Sequence, residues 1–394
     1  MRKAAIHPSK VLAELLRRRR EELGLSLREV EARSGTAGER VHFATLARAE
    51  QGKTDLGVRR LYRLFKLYDL PIQLAADLLD LEENAESVVL TGSFEGLGRE
   101  GVENWKSGNI REALARFFAA RTRTPTGAQE RVSRQKALLG MAVAAGSLGR
   151  LALARYIVED LLFEPPDESI LVPALTQAAK CWRGLGSCDG ALGLLARAEA
   201  RLESRQHRER AWVFHEKASI LAELGAFAPA EAALKTAVAA YRRARDVYGE
   251  STALGVHVKL LRERRDWQGA RRAARAARVL ARSRGFKRLE AVRGLDEARA
   301  LQELGRSKES LALLRDVLAW AIQEDDRILR FYAHHALFKA YEALGDTVRA
   351  TAEFRAAEDH AQFVDEVTPE TREVRNLRSS AALEVTKRET RVAS

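Results

Sequence analysis

Residues 43–53 read FATLARAEQGK. The stretch is short, mostly apolar, and closed by a glycine and a lysine, which marks a short helix with its stop signal. It lies in the first sixth of a 394-residue chain that otherwise reads as a long run of helices. Upstream, SKVLAELLRRRREELG (9–24) places Leu12, Leu15, Leu16 and Leu23 at helical spacing, with Ser9 as N-cap and Gly24 as stop. SLREVEARSG (26–35) opens on Ser26 with Glu29 three residues on, a capping box, and is anchored by Val30 and stopped by Gly35. TAGER (36–40) reads as a turn. Downstream, DLGVRRLYRLFKLYDLP (55–71) carries Leu61, Leu64 and Leu67 in register, and IQLAADLLDLEE (72–83) closes the unit.

Two short helices joined by a glycine-bearing turn and flanked by packing helices form a helix-turn-helix arrangement. The run LRRRREELGLSLREV, SG, TLARAEQGK and LYRLFKLYDLP, taken in that order over about residues 10–83, resembles the Cro/repressor-type, or XRE, helix-turn-helix family. The resemblance implies a buried pair between Arg20 and Glu50 that fixes the first helix against the third. It also implies that the third helix enters the major groove of double-stranded DNA. His42, Phe43, Ala44, Thr45 and Arg48 would then face the bases. Arg48 would reach guanine with two bonds, and Ala44 and Thr45 would touch a thymine methyl. Ser26, Arg28, Gln51, Lys53 and Thr54 would hold phosphates, with Arg17–Arg19 as further phosphate contacts. Residues 1–68 carry 16 Lys/Arg against 8 Asp/Glu, a surplus of +8 that suits a polyanion. One feature departs from the family. Gly35 to Gly52 spans 17 positions, where about a dozen is usual. Either the turn TAGERVH is enlarged or the reading helix starts earlier.

FEGLGREG sets Gly96, Gly98 and Gly101 as G-x-G-x-x-G. A dinucleotide loop would need a buried strand before it and a βαβ unit around it, and helical repeats follow instead. The stretch is expected to be a glycine-rich linker. The expected division is a DNA-binding domain over 1–86, a linker over 87–98, a repeat domain over 99–364, and a C-terminal capping helix and frayed tail over 365–394.

In the repeat region, a helix, a short turn and a second helix recur. The turn positions are Gly108, Gly149, Gly186, Gly225, Arg265, Gly305 and Gly345, at intervals of 41, 37, 39, 40, 40 and 40 residues. Five positions after each stands a small residue: Ala113, Ala154, Ala191, Ala230, Ala270, Ser310 and Ala350. A small residue there lets the helices of a pair approach closely. The pattern resembles a long-helix form of the tetratricopeptide repeat, whose usual period is about 34 residues. It implies an all-α chain in which a five-helix head precedes a right-handed solenoid of about seven hairpins, the first helix of each lining a groove. Six and three residues before the turns, that architecture places Lys180, Ser219, Lys259, Arg299, Lys339, Arg183, Arg262 and Gln302 in the groove, together with Ala222 and Glu342. Six of the ten are basic, so the groove is expected to favour an acidic peptide, a carboxylate or a phosphate. His215, His334 and His335 lie one turn deeper.

A repressor-type head followed by such repeats resembles, in architecture, the peptide-regulated transcription factors of bacterial quorum sensing, the Rgg/PlcR/PrgX type. That resemblance implies a homodimer on a palindromic operator, with a peptide, another anionic ligand or a protein partner in the groove. The four asparagines (Asn84, Asn104, Asn109 and Asn376) all lie outside the middle repeats, whereas those proteins often grip a peptide backbone with asparagine. Arg and Lys would have to do that work here, or the ligand is not a peptide. Two rival readings stay open: a protein-interaction scaffold with the head as docking module, and a nucleotide- or phosphodonor-sensing regulator. An enzyme is not expected, because H-E-x-x-H, P-loop and G-x-S-x-G are all absent from the sequence. Cys181 and Cys188 lack zinc spacing, and no metal or cofactor is implied. Without an apolar leader or an 18-residue apolar run, a cytoplasmic protein with no membrane partner is expected.

Overall fold

The computed structural model describes residues 8–35, 40–86, 93–163, 166–364 and 367–377. Among them the regular structure is helical, without strands, and the chain divides between Gly92 and Ser93 into two compact units.

The first unit holds α1 (Lys10–Glu22), α2 (Leu27–Arg33), α3 (Phe43–Glu50), α4 (Val58–Leu67) and α5 (Ile72–Glu86). The first three helices start at side-chain caps. The Ser9 hydroxyl accepts from the Leu12 N–H at 3.0 Å. Ser26 and Glu29 form a reciprocal capping box, the Glu29 carboxylate accepting from the Ser26 N–H at 2.8 Å. Leu15, Leu16, Val30, Leu46, Leu64, Phe65, Leu74 and Leu78 bury almost completely to form the core. The third helix does not start early: His42 is its N-cap. The extra residues therefore precede it. Both ends of that turn are tied, the Ser34 hydroxyl accepting from the Val41 N–H at 2.9 Å and Arg40 Nε donating to the Gly35 carbonyl at 3.0 Å. Residues 36–39 lie outside the described residues.

The second unit is built of seven helical hairpins among its described residues. They are α6 (Phe94–Ser107) with α7 (Ile110–Thr122), α8 (Ala128–Ser147) with α9 (Leu151–Phe163), α10 (Glu168–Gly184) with α11 (Cys188–Glu199), and α12 (His207–Glu223) with α13 (Phe227–Arg243). After them come α14 (Val247–Glu263) with α15 (Trp267–Ser283), α16 (Lys287–Glu303) with α17 (Ser307–Gln323), and α18 (Arg327–Ala343) with α19 (Thr347–Ala361). A last helix, α20, covers residues 369–377, and 378–394 lie outside the described residues. The seven small residues after the turns are all buried, Ala350 least so at 6% exposure.

The glycine-rich stretch corrects the linker expectation. Residues 94–98 are the first turns of α6, N-capped by Ser93, whose hydroxyl accepts from the Gly96 N–H at 3.1 Å. Gly101 of α6 and Gly140 of α8 close on Phe117 of α7, and a Cβ at either would come within 2.6 Å of that ring. Gly101 and Gly140 thus serve close helix packing, whereas Gly98 faces open space. Residues 87–92 of the expected linker lie outside the described residues.

From His207 to Ala343 every helix has 17 residues. The middle residue of each connection is left-handed: Gly225, Arg245, Arg265, Gly285, Gly305, Asp325 and Gly345, spaced 20 apart. Each connection closes with the same long bond, such as Ala226 N–H to the Leu221 carbonyl at 2.9 Å and Asp346 N–H to the Tyr341 carbonyl at 3.0 Å. The 40-residue period is thus two equivalent 20-residue steps.

Within this unit the array coils back on itself. The turn at Gly149 meets Ile328 and the Phe363 carbonyl, and the turn at Gly186 meets Val367. Arg288 Nη2 donates to the Ser147 carbonyl at 2.9 Å, Arg111 pairs with Asp325, and the Val367 N–H donates to the Gly184 carbonyl at 2.8 Å. Gly149 and Gly305 have nearly the same φ, +73° and +71°, but a Cβ would lie 2.8 Å from Ile328 at the first and in open space at the second. Gly305→Ala should therefore cost only the left-handed backbone penalty, about 1–2 kcal/mol. Gly149→Ala should cost about 1–3 kcal/mol more from overpacking. Urea denaturation of the two variants checks this; equal losses would contradict the coiled packing.

Candidate nucleic-acid interface and ligand groove

In the head, Arg20 and Glu50 form a bidentate ion pair, Nε to Oε1 and Nη2 to Oε2 both at 2.8 Å. Arg20 Nη1 also donates to the Leu25 carbonyl at 3.0 Å. One guanidinium thus joins α1, the start of α2 and the end of α3. The bonds to Glu50 outweigh the penalty of burial and raise the Arg20 pKa further.

The pair sets which face of α3 turns outward. His42, Phe43, Ala44 and Arg48 are exposed, Thr45 is half-buried, and Leu46, Ala49 and Glu50 face the core. Ser26, Arg28, Gln51 and Lys53 are exposed around that face and Thr54 is half-exposed. The Ser26 hydroxyl is engaged in its capping box, and Arg28 lies 5.8 Å over the Phe43 ring. His42 Nδ1 accepts from the Ala44 N–H at 3.3 Å. Of the arginine run, Arg18 and Arg19 pair with Glu22 at 2.8 and 3.0 Å, and Arg19 Nε also donates to the Tyr68 carbonyl at 3.0 Å. Arg19 is thus partly structural, contrary to its expected role as a phosphate contact only.

In the repeat unit the eight candidate groove residues are half-buried or buried, and acids engage most of the cations. Arg183 pairs with Glu216 and, at 2.7 Å, with Glu223, which also pairs with Lys259. Arg262 lies 3.8 Å from Asp296, which pairs with Arg293 at 3.0 Å. Gly255 leaves room for Arg293, whose guanidinium a Cβ there would overlap. Arg299 meets Glu370 at 3.0 Å, and Lys339 meets Glu373 at 2.5 Å. Ser219 donates to the His215 carbonyl at 3.1 Å and Gln302 to the Ala336 carbonyl at 2.6 Å, so both are spent on the scaffold. Lys180 is half-buried. The expected open cationic groove is therefore a ladder of ion pairs running from α10 to α20. The sequence reading missed the acids. Glu216 and Glu223 lie on α12, and Glu370 and Glu373 sit in the segment expected to cap the array. Their signal was three-residue spacing inside TPETREV.

Burial would push the Glu370 carboxyl up, but Arg299, a backbone N–H and Arg262 together outweigh it and hold it at about 2. His215 moves the other way: burial, helped by Lys180, Arg183 and Arg293 and opposed by Glu216, lowers it to about 4. Burial pushes the Cys181 thiol up to about 12, so it stays protonated. No group of His, Cys, Asp and Glu among the described residues is arranged to hold a metal, and no helix there is long and apolar enough to cross a membrane.

Two predictions follow from these charges. Replacing Glu50 with Ala leaves Arg20 uncompensated and should destabilise the head by about 3–5 kcal/mol, whereas the apolar pair Arg20→Met with Glu50→Leu should recover most of that. Amide exchange of residues 10–83 measures both. His215 is neutral when folded and takes up a proton near 6.5 when unfolded. Its contribution is complete above about pH 6.5 and is lost as pH falls toward 4. The melting temperature should drop from pH 7 to pH 5, and His215→Gln should lessen that drop; an unchanged pH dependence would count against it.

Residues 16–74 match a family model described as helix-turn-helix. No curated protein matches the chain in sequence. Among solved structures, Bacillus thuringiensis PlcR in complex with the peptide PapR7 and DNA is similar over 72% of this chain and 99% of its own, at 12% identity and a TM-score of 0.44. The apo form of the competence regulator ComR from Streptococcus vestibularis is similar over 94% of this chain and 98% of its own, at 12% identity and a TM-score of 0.31. A signal-transduction ATPase with a tetratricopeptide repeat sensor from Pyrococcus horikoshii covers 90% of this chain, which spans 61% of that protein, at 15% identity and a TM-score of 0.47. Residues 16–74 are thus a helix-turn-helix domain, joined in this chain to an array of helical hairpins.

Proposed function

We propose that the chain is a DNA-binding transcriptional regulator whose repeat unit senses a ligand or partner. The observation that carries this reading is the outer face of α3. A helix-turn-helix domain keeps His42, Phe43, Ala44 and Arg48 exposed on one helix, ringed by Arg28 and Lys53. A scaffold needs no such basic rim. Arg48 reads guanine, Ala44 and Thr45 meet thymine methyls, and Arg28, Gln51, Lys53 and Thr54 hold the backbone. A homodimer would pair two such heads on a palindromic operator, with half-sites one helical turn or a multiple apart. The repeat unit would supply the dimer contact and a site for an acidic peptide or another anion.

The scaffold reading has one observation in its favour. Val58 and Tyr62, one turn apart on α4, are 78% and 55% exposed. They offer an apolar spot for another protein.

Selection of bound duplexes from a random pool by the full chain separates the two. A regulator enriches a two-fold symmetric sequence, and a scaffold enriches none. On the enriched duplex, Arg48→Ala should cost about 1–3 kcal/mol of discrimination at one base pair. Lys53→Ala should weaken all sequences alike and flatten the salt slope by about one. Unchanged base preference in Arg48→Ala would sink the assignment of that residue.

A further inference from the structure

The expected capping helix does more than close the end of the array. Its first residues reach α10, where the Val367 N–H donates to the Gly184 carbonyl at 2.8 Å and the Val367 side chain meets Gly186. The helix then runs past two inner helices. Glu370 faces Arg299 of α16 at 3.0 Å, and Arg262 of α14 adds to the field on its carboxylate. One turn later, Glu373 bridges Lys339 at 2.5 Å and His335 at 2.9 Å, both on α18. Arg299 is held over the Tyr332 ring at 5.2 Å, and the Tyr332 hydroxyl lies 3.4 Å from Thr368. The segment is preset as a helix: Thr368 and Thr371 exchange capping bonds, and Pro369 takes the first helical position.

We propose that residues 367–377 are an internal ligand of the groove. The site formed by Arg262, Arg299, Lys339 and His335 recognises two carboxylates one helical turn apart, and the chain's own Glu370 and Glu373 occupy it until an acidic helical peptide with the same spacing displaces them. This deepens the ligand-sensing part of the function proposed above by naming the ligand's chemistry and what it must displace. Beside its acids the helix is held by Val374, buried with Phe331 and Val364, and by Arg375 Nη2 donating to the Val364 carbonyl at 2.9 Å, contacts that a displacing peptide of the same sequence would replace. Two features support displacement over a purely structural clamp. Its two acids account for its ion pairs to α16 and α18. The cations it meets come from successive inner helices, so displacement would be felt along the array.

The test uses the full chain and a labelled synthetic peptide, VTPETREVRNL, the sequence of residues 367–377. In fluorescence anisotropy, the double variant Glu370→Gln with Glu373→Gln should bind this peptide at least tenfold more tightly than the wild type. A peptide with both glutamates changed to glutamine should lose that gain. Equal affinity for wild type and variant, or no binding to a variant whose circular dichroism melt shows it folded, overturns the proposal. A second readout covers a variant that does not fold. Excess unlabelled peptide should speed amide exchange of residues 370–377 in the wild type at least tenfold while leaving 227–263 protected; unchanged exchange at saturating peptide overturns it as well. Neither readout uses DNA, so the fate of this proposal is separable from that of operator binding.

Discussion

From α12 to α19 the repeat unit depends on one backbone constraint, the left-handed residue that recurs every 20 positions between one helix and the next. The turn it makes is closed by a six-residue hydrogen bond that satisfies carbonyls at the helix end, so each helix from α12 to α18 stops at the same length. Equal helices with equal turns stack with a constant rotation, and a constant rotation coils. Glycine fits that conformation freely, yet Arg245, Arg265 and Asp325 adopt it too. At those positions the cost of about 1–2 kcal/mol is absorbed by the packing on either side. At Gly149 the same conformation is combined with a close approach from another hairpin, and glycine is required twice over.

Coiling has an electrostatic consequence. It stacks the first helices of successive hairpins, and with them the half-buried Arg183, Lys259, Arg262, Arg299 and Lys339. Unpaired, half-buried cations at such density would repel one another and lose hydration. The fold answers by interleaving acids from neighbouring inner helices: Glu216 and Glu223 for Arg183, Glu223 for Lys259, and Asp296 for Arg262. Toward the C-terminal end, Arg299 and Lys339 meet the acids of α20. That is where a ligand carrying its own carboxylates could substitute for part of the chain without leaving a buried charge alone.

The helical class, the five helices of the head and the seven hairpins were legible in the sequence, because leucine spacing, capping residues and turn glycines are local signals. The small residue after each turn reported packing correctly for the same reason, as Ala113 and Ala154 illustrate. What was not legible depends on tertiary contact. The 20-residue step was hidden because Arg245 and Asp325 stand where a glycine would have announced it. Gly96, Gly98 and Gly101 looked like a linker because a glycine that makes room for a ring, as Gly101 does for Phe117, is indistinguishable, in sequence, from one that loosens a chain. The basic positions of the groove could be counted, but their acidic partners on other helices lie 33 to 71 residues away: Glu216 from Arg183 at the near end, Glu370 from Arg299 at the far end. In the head, the outward set on α3 follows from its period, whereas the start of that helix was settled only by the His42 cap.

The most direct test of the account is a genome-wide immunoprecipitation of the tagged full-length protein in its native cells, run beside the Arg48→Ala variant. The account predicts discrete peaks over two-fold symmetric sequences that vanish in the variant, while the variant remains folded and equally abundant. A map of the same discrete peaks in both proteins, or one without discrete peaks from a head that also enriches no duplex in vitro, would contradict it.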